Sequence, residues 1–420
     1  MKFKRKKDQI LFFLDKLACF KLKIGYMVKF RLSLLLIVIL FFIVTTYASD
    51  FKDDRSDKQP VISSLSDNET NNRFIYTVSD YSYNEVADKA VKKNITLFKD
   101  KLKEKFSIWL SRSGKYLEMM KGILKEKNIP EEIVFLPLIE SGFNPYAYSR
   151  ARAVGYWQFI SSTAKRYGLE INWWKDERRD PVKSTVAAAD YLKDLYEIFG
   201  SWNLAMAAYN AGEGKILRAL NKTKTDNYWE LLNSRYIKRE TRNYVPKFIA
   251  ASLIANNPEN FGFEDIEYHA PLNYDEVRID SAVDFEVIAK CAETSVEVIK
   301  ELNPELRRWC TPPDVSEYIL RVPMGKGNLF LENLSQIREE ERFTVDTYKV
   351  MKGDTIIRIS KKTGVPVKVI LDLNSSKKLR PLKAGTSIFL PPKDKLVLDT
   401  DDRATIRNKK RIKRDKFKKI

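Results

Sequence analysis

Residues 135–169 read FLPLIESGFNPYAYSRARAVGYWQFISSTAKRYGL. Pro130 starts the preceding helix, with Glu131 and Glu132 in its first turn, where carboxylates suit the dipole. That helix ends at Glu140–Ser141, a Gly/Pro/Asn loop follows, and another short helix comes after it. A carboxylate at a helix C-terminus faces the negative end of the dipole, which disfavours its charged form. Phe135, Leu136, Leu138 and Ile139 would desolvate it further. Both effects favour a proton on Glu140 near neutral pH, the condition of a general acid. Most glutamates at helix ends are solvated surface groups, so this stretch alone leaves both readings open.

The company of Glu140 lies downstream. AAYNAGEGK (207–215) puts Tyr209 and Asn210 at a helix end before two turn glycines, and ETRNYVPKFIAA (240–251) presents Tyr244 on the first turns of a later helix. Taken singly, each is equally a core or capping residue. Helical apolar spacing runs from about Asn84 to Lys127 (Val86, Ala90, Ile95, Phe98, Leu102, Phe106, Leu110). Further helices fit Ser184–Phe199, Trp202–Tyr209 and Thr241–Ala255. No alternating strand pattern of any length precedes residue 270, so 75–260 is expected to be all helical.

Beyond residue 270 a weak repeat appears. IAKCAETSVEVIKELN (288–303) aligns without gaps on ISKKTGVPVKVILDLN (359–374), with Asn303 and Asn374 among the coinciding positions. Each copy ends in a short strand and proline, YILRVP (318–323) and SIFLPP (387–392), which predicts a β-α-α-β unit used twice.

Composition excludes several chemistries. The 420 residues contain one His, His269, and three Cys, too few for a His-rich zinc site, and any Ser-His or Cys-His nucleophile would have to use His269 in the plain stretch EYHAPLN. No metal and no cofactor are expected, so carboxylates, hydroxyls and amides must do any chemistry. The formal net charge of +19 sits mostly at the ends: residues 1–31 hold ten Lys/Arg against two Asp, and 403–420 hold ten against one. The body between is nearly neutral, which argues against a nucleic-acid partner.

Leu32–Val44 (LSLLLIVILFFIV) follows Lys29 and Arg31 and precedes TTYASD, the pattern of a secretory signal cut after Ala48; an uncleaved anchor is the other reading, although about 20 apolar residues are needed to span comfortably. Met27 would open a conventional signal and is the expected true start. Residues 1–48 are thus read as a targeting segment and 49–80 as a polar linker. The protein is expected to be exported, to the periplasm or cell envelope, with membrane attachment by the N-terminal segment or by the disordered basic tail (394–420) left open.

Four ordered motifs, ESGFNPYAYS, GYWQF, AYNAG and ETRNYV, together with WWKDERRDPVKST (173–185), closely resemble the lytic transglycosylases of the SLT superfamily, nearest the membrane-bound type D subfamily. Tyr348–Pro392 (YKVMKGDT, the mid-module LN, AGTSIFLP) resembles a LysM module; the first copy is similar but lacks Gly-Asp-Thr. The resemblance implies a mainly α chain: a lysozyme-like helical catalytic domain (81–262), then small α+β (βααβ) LysM-type modules, a divergent one at 270–325 and a second at 345–393. It implies peptidoglycan glycan strands as partner, and cleavage of the MurNAc-β-1,4-GlcNAc bond with formation of 1,6-anhydro-MurNAc ends. By the same match Glu140 is the single catalytic acid and base, Ser149 and Gln158 hold the muramyl sugar, Tyr209 and Asn210 steady the site, and Tyr244 bonds nearby. Where many relatives have Leu-Met before the Gln, this chain has Tyr156-Trp157, expected to reshape a sugar subsite.

A water-using muramidase and a non-catalytic peptidoglycan-binding scaffold are the competing readings. The Asp176–Asp180 cluster (DERRD) is read as an ion-pair network rather than a second acid, and Trp157, Trp173 and Trp174 either stack on sugars or pack the core. Cys291 and Cys310, 19 residues apart in an exported chain, are expected to form a disulfide.

Overall fold

The computed structural model describes residues 85–374 and 382–395. The targeting segment, the linker and all but the first two residues of the basic tail lie outside the described residues.

The apolar spacing of 84–127 produces three helices: α1 (Glu85–Thr96), followed by a π-helical turn Leu97–Lys101, α2 (Lys103–Ser113) and α3 (Leu117–Glu126). Their shared inner face buries Phe98, Phe106, Leu110, Met120 and Leu124. The break between α2 and α3 falls at Gly114, where a Cβ would stand 2.5 Å from the carbonyl oxygen of His269. Here the chain leaving the helical region crosses back, with His269 N donating to Ser111 O (3.0 Å) and Leu272 N to Lys115 O (3.1 Å).

Pro130 caps a 3-10 segment, Glu131–Phe135, which runs directly into α4 (Leu136–Glu140). After a long loop come α5 (Ser161–Arg166), α6 (Pro181–Phe199), α7 (Trp202–Ala211), α8 (Glu213–Thr223), α9 (Tyr228–Leu231) and α10 (Arg239–Asn256). Asp180 caps α6, accepting from Val182 N and Lys183 N at 2.9 and 2.8 Å, with Pro181 at its first turn and Gly200 left-handed at its end. Alanines on α6 and α7 allow these two helices to pack closely at the centre of the domain.

Pro246 lies inside α10 and has no N–H for the carbonyl of Arg242 four residues back. The Tyr228 hydroxyl on α9 reaches that carbonyl at 2.9 Å and that of Thr241 at 3.0 Å. A side chain from a neighbouring helix therefore satisfies the carbonyl oxygen that proline leaves open, and α10 continues for ten more residues.

Beyond the helical domain, β1 (Tyr274–Ile279), α11 (Phe285–Cys291), α12 (Val296–Leu302) and β2 (Tyr318–Pro323) form the first β-α-α-β unit. The helices α13 (Gly327–Ser335) and α14 (Glu339–Arg342) connect it to the second, made of β3 (Asp346–Lys349), α15 (Ile356–Thr363), α16 (Val367–Leu373) and β4 (Ser387–Leu390). Each pair of strands is antiparallel, Val277 facing Leu320 in one and Tyr348 facing Ile388 in the other.

The repeated asparagine does the same job twice. Asn303 donates to Ile299 O and Arg321 O and accepts from Arg321 N; Asn374 donates to Ile370 O and Phe389 O and accepts from Phe389 N, all between 2.8 and 2.9 Å. Each buried amide ties the end of its second helix to the closing strand.

The disulfide expected between Cys291 and Cys310 is not formed; both are free, buried thiols. Cys310 pairs with Asp284, immediately before α11, whereas Cys291 ends that helix. Seven residues of helix separate the two ends by about 10 Å, and a disulfide needs Cα atoms within about 7 Å.

Candidate active site

Glu140 is the last residue of α4, half-buried, with Leu136, Pro137 and Leu138 buried behind it. Loss of water around the carboxyl raises its pKa from the ordinary 4.5 to about 7. A hydrogen bond from the Tyr244 hydroxyl and the charge of Lys247 pull it down, and the charge of Glu240 pushes it up.

Those three side chains come from one face of α10, at positions i, i+4 and i+7 (Glu240, Tyr244, Lys247). Lys247 Nζ also donates to Ile139 O at 3.3 Å, so a cation sits at the carbonyl end of α4. Burial lowers the pKa of Lys247, and the charges of Glu140 and Glu240 oppose that. Burial, then the neighbouring Glu140, raises the Tyr244 and Tyr209 phenols well above their usual range. Both therefore remain neutral phenols near neutral pH.

The loop after Glu140 is shaped around two glycines. Gly142, at φ +60°, lies against Trp109, whose ring would meet an added Cβ at 2.2 Å. Gly155, at φ +85°, would meet the carbonyl oxygen of Arg178 at 1.9 Å. Ser141 Oγ donates to Tyr156 O at 2.9 Å, and the Tyr209 hydroxyl donates to Trp157 O at 2.7 Å. The GYWQF stretch is thereby held from both sides of the site. Gln158, at φ +49°, spends its amide hydrogens on Gly155 O (2.9 Å) and Ala147 O (3.2 Å). Ser149 closes a small turn, its Oγ accepting from Ala153 N at 3.0 Å.

Of the residues singled out in the sequence, Tyr244 directly bonds Glu140, and Tyr209 is its electrostatic neighbour. Ser149 and Gln158 belong to the adjoining loop, each bonded to loop backbone. Asn210 accepts from Thr241 Oγ1 at 3.0 Å and so joins α7 to α10. Lys247 and Glu240 were missed, although the helical period through ETRNYVPK places both on the face of Tyr244.

The aromatic pair Tyr156-Trp157 does not shape a sugar subsite: both side chains are fully buried, and Trp157 Nε1 donates to Thr185 Oγ1 at 3.0 Å. Trp174 is likewise buried, and Arg308 stacks 3.9 Å over the half-buried Trp173. The WWKDERRD stretch is a junction. Asp176 N donates to Glu305 O (2.8 Å), Arg307 N to Trp174 O (2.9 Å), and Arg308 Nε to Trp173 O (2.9 Å). Asp176 pairs with Arg178 at 2.7 Å, Glu177 with Lys183 at 2.7 Å, and Asp180 with Arg321 of β2 at 2.8 Å. The Trp174 ring enters the core of the second β-α-α-β unit beside Trp309, Ile370 and Leu373, and its Nε1 donates to Asp372 at 3.1 Å.

Residues 119–232 match the Transglycosylase SLT domain, 273–339 the LysM-like domain of lytic transglycosylase MltD, and 348–391 the LysM domain. The chain carries an SLT domain and two LysM-type domains. The helical SLT domain has the lysozyme-like fold, and the two β-α-α-β units are the LysM-type ones. The membrane-bound lytic murein transglycosylase D of Escherichia coli (strain K12) is 33% identical over 295 residues, covering 66% of this chain and 64% of that protein. The chain therefore spans just under two thirds of the length of this relative. The membrane-bound lytic murein transglycosylase C of Photorhabdus laumondii is 26% identical over 164 residues, covering 32% of this chain and 45% of that protein. Among solved structures, the soluble lytic transglycosylase SLT70 of Escherichia coli shares 23% identity, covering 37% of this chain and 26% of that one, with a TM-score of 0.30.

Proposed function

We propose that the protein is a peptidoglycan lytic transglycosylase that cuts the MurNAc-β-1,4-GlcNAc bond and leaves 1,6-anhydro-MurNAc ends. The observation that carries this reading is the Glu140 carboxyl, raised to about 7 by burial and bonded by Tyr244. At that pKa it is protonated enough to give a proton and ionised enough to take one back. In this reading 81–262 is the catalytic domain, and the modules at 270–325 and 345–393 hold glycan strands.

Glu140 donates its proton to the glycosidic oxygen as the bond to C1 breaks and an oxocarbenium-like state forms. The resulting carboxylate takes the proton of the C6 hydroxyl, and O6 closes on C1. The atoms balance without water. Ser149 and Gln158 are assigned to the muramyl sugar, Tyr209 and Asn210 to steadying the site, and Tyr244 to orienting the carboxyl. A paired-carboxylate hydrolase would need a second acid. The DERRD carboxylates are engaged in ion pairs and in the cap of α6, which disfavours that route.

Mass spectrometry of digested peptidoglycan tests the reaction. Products one water lighter than reducing-end fragments are expected; exclusively reducing-end products would reject the assignment.

The pH profile tests the site. The active form has Glu140 protonated before bond cleavage, so kcat/KM falls as pH rises through about 7. Tyr244 favours the ionised carboxylate, so Tyr244→Phe moves this limb to higher pH while lowering kcat. An unmoved limb would show that Tyr244 does not act on Glu140.

The function implies a cell-envelope location, and the expected signal or anchor at 32–48 fits export. Among the described residues no helix is long and apolar enough to cross a membrane.

A further inference from the structure

A cleft of about 1250 Å³ runs between α1 and the start of α10. Its walls include Lys89, Lys93, Lys101, Arg239 and Arg242, with Glu240 the one acid among them. Lys89 and Lys93 stand four residues apart on one helix, a like-charge spacing that weakens a helix unless something anionic lies between the two. On the same helix Lys92 is paired with Asp88 at 2.6 Å, whereas among the described residues no ion pair is made by Lys89, Lys93, Lys101 or Arg239. Arg242 reaches Leu232 O through Nη1 at 3.4 Å, and its buried Nε has no hydrogen-bond partner. The floor is rigid: Asn94 and Asn243 exchange amide hydrogen bonds of 3.0 and 3.1 Å across α1 and α10.

The cleft adjoins the reacting carboxyl. Glu240 lines it, and Tyr244, one turn further along α10, bonds Glu140. Four residues of helix advance about 6 Å, so a glycan seated at Glu140 places its substituents within reach of the cleft. N-acetylglucosamine is uncharged, and in intact peptidoglycan the muramyl lactyl carboxyl is amide-bonded to the stem, so the negative charge lies on the carboxylates of the peptide stems.

We infer that this cleft binds the carboxylate-bearing peptide stem of the substrate, so that the enzyme discriminates stem-bearing from bare glycan. The inference rests on the peptidoglycan reading above. The lysines are exposed, so each ion pair is worth little alone and the preference depends on salt.

The test uses full-length protein with Glu140→Gln to hold substrate uncut, and fluorescence anisotropy with labelled soluble glycan fragments, either stem-bearing or stripped of stems by an amidase. Stripping leaves one lactyl carboxylate on each muramyl sugar in place of the several charges of a stem. At low salt the stem-bearing fragment is expected to bind about tenfold more tightly, two exposed ion pairs giving about that factor. Adding Lys89→Ala and Lys93→Ala should remove most of that gap while affinity for the stripped fragment stays the same. An unchanged gap, or equal weakening on both fragments, overturns the inference. So does short polyphosphate competing as well as free stem peptide, which marks a general anion surface. If Glu140-intact protein cleaves glycan and both fragments bind it alike, only this inference fails. If it neither binds nor cleaves either fragment, the peptidoglycan reading fails with it.

Discussion

In the proposed reaction Glu140→Gln lowers the rate of glycan cleavage by about 10³-fold or more, because one group is lost from both proton transfers. Gln is isosteric and can still accept from the Tyr244 hydroxyl, so the fold and the affinity for glycan are retained. Rates measured on purified peptidoglycan decide this, and a variant keeping a tenth of the wild-type rate would remove Glu140 from its role.

The same substitution has a stability signature of definite sign. In the folded protein the carboxyl holds its proton to about pH 7, while in the unfolded chain it releases it near 4.5. Between those values the unfolded state has lost a proton that the folded state keeps, so wild-type stability falls as pH rises. Gln cannot titrate. The stability of Glu140→Gln relative to wild type should therefore grow by on the order of 3 kcal/mol from pH 4 to pH 8, as measured by denaturant unfolding. A difference independent of pH would contradict the raised pKa. The expected growth would mean that the protein gives up stability to keep an acid where the proposed chemistry needs one.

Trp174→Ala is expected to cost about 3–5 kcal/mol, as for other buried tryptophans. The loss should fall on the junction rather than on the SLT domain. The ring lies 5.9 Å from that of Trp309 and bonds Asp372, so it fills a core assembled from three separated chain segments. Removing it leaves the last LysM domain without part of its own interior. Calorimetry should then show that domain melting in a separate, earlier transition, and Trp174→Phe should restore most of the loss. A single transition at an unchanged midpoint would show that the ring does not hold the domains together.

How far residues alone predict this molecule depends on the range of the interactions. Helix periods, the Asp180–Pro181 start and Gly200 stop of α6, and the paired β-α-α-β units are local patterns, and the structure follows them. The apolar spacing of 84–127 gives helices but not their ends, because Gly114 is not helical punctuation by itself; it is small because His269 passes over it. The Tyr156-Trp157 pair was expected at a sugar subsite and lies in the core, and Trp174, left open between the two roles, also packs the core. An aromatic residue in a motif has no local mark distinguishing a sugar platform from a core filler, and burial decided for the core. The cysteines had suggestive spacing, but α11 holds their ends of the unit apart.

What the sequence by itself determined was the order of the domains, the candidate acid at the end of α4 and the exclusion of His-rich metal and His-based nucleophilic chemistry by a single histidine. Only the tertiary structure decided that Glu240, Tyr244 and Lys247 converge on that acid, and that WWKDERRD is a junction rather than a site. The reason is physical. Desolvation and through-space charge depend on which helices pack together, and no local pattern records that distance.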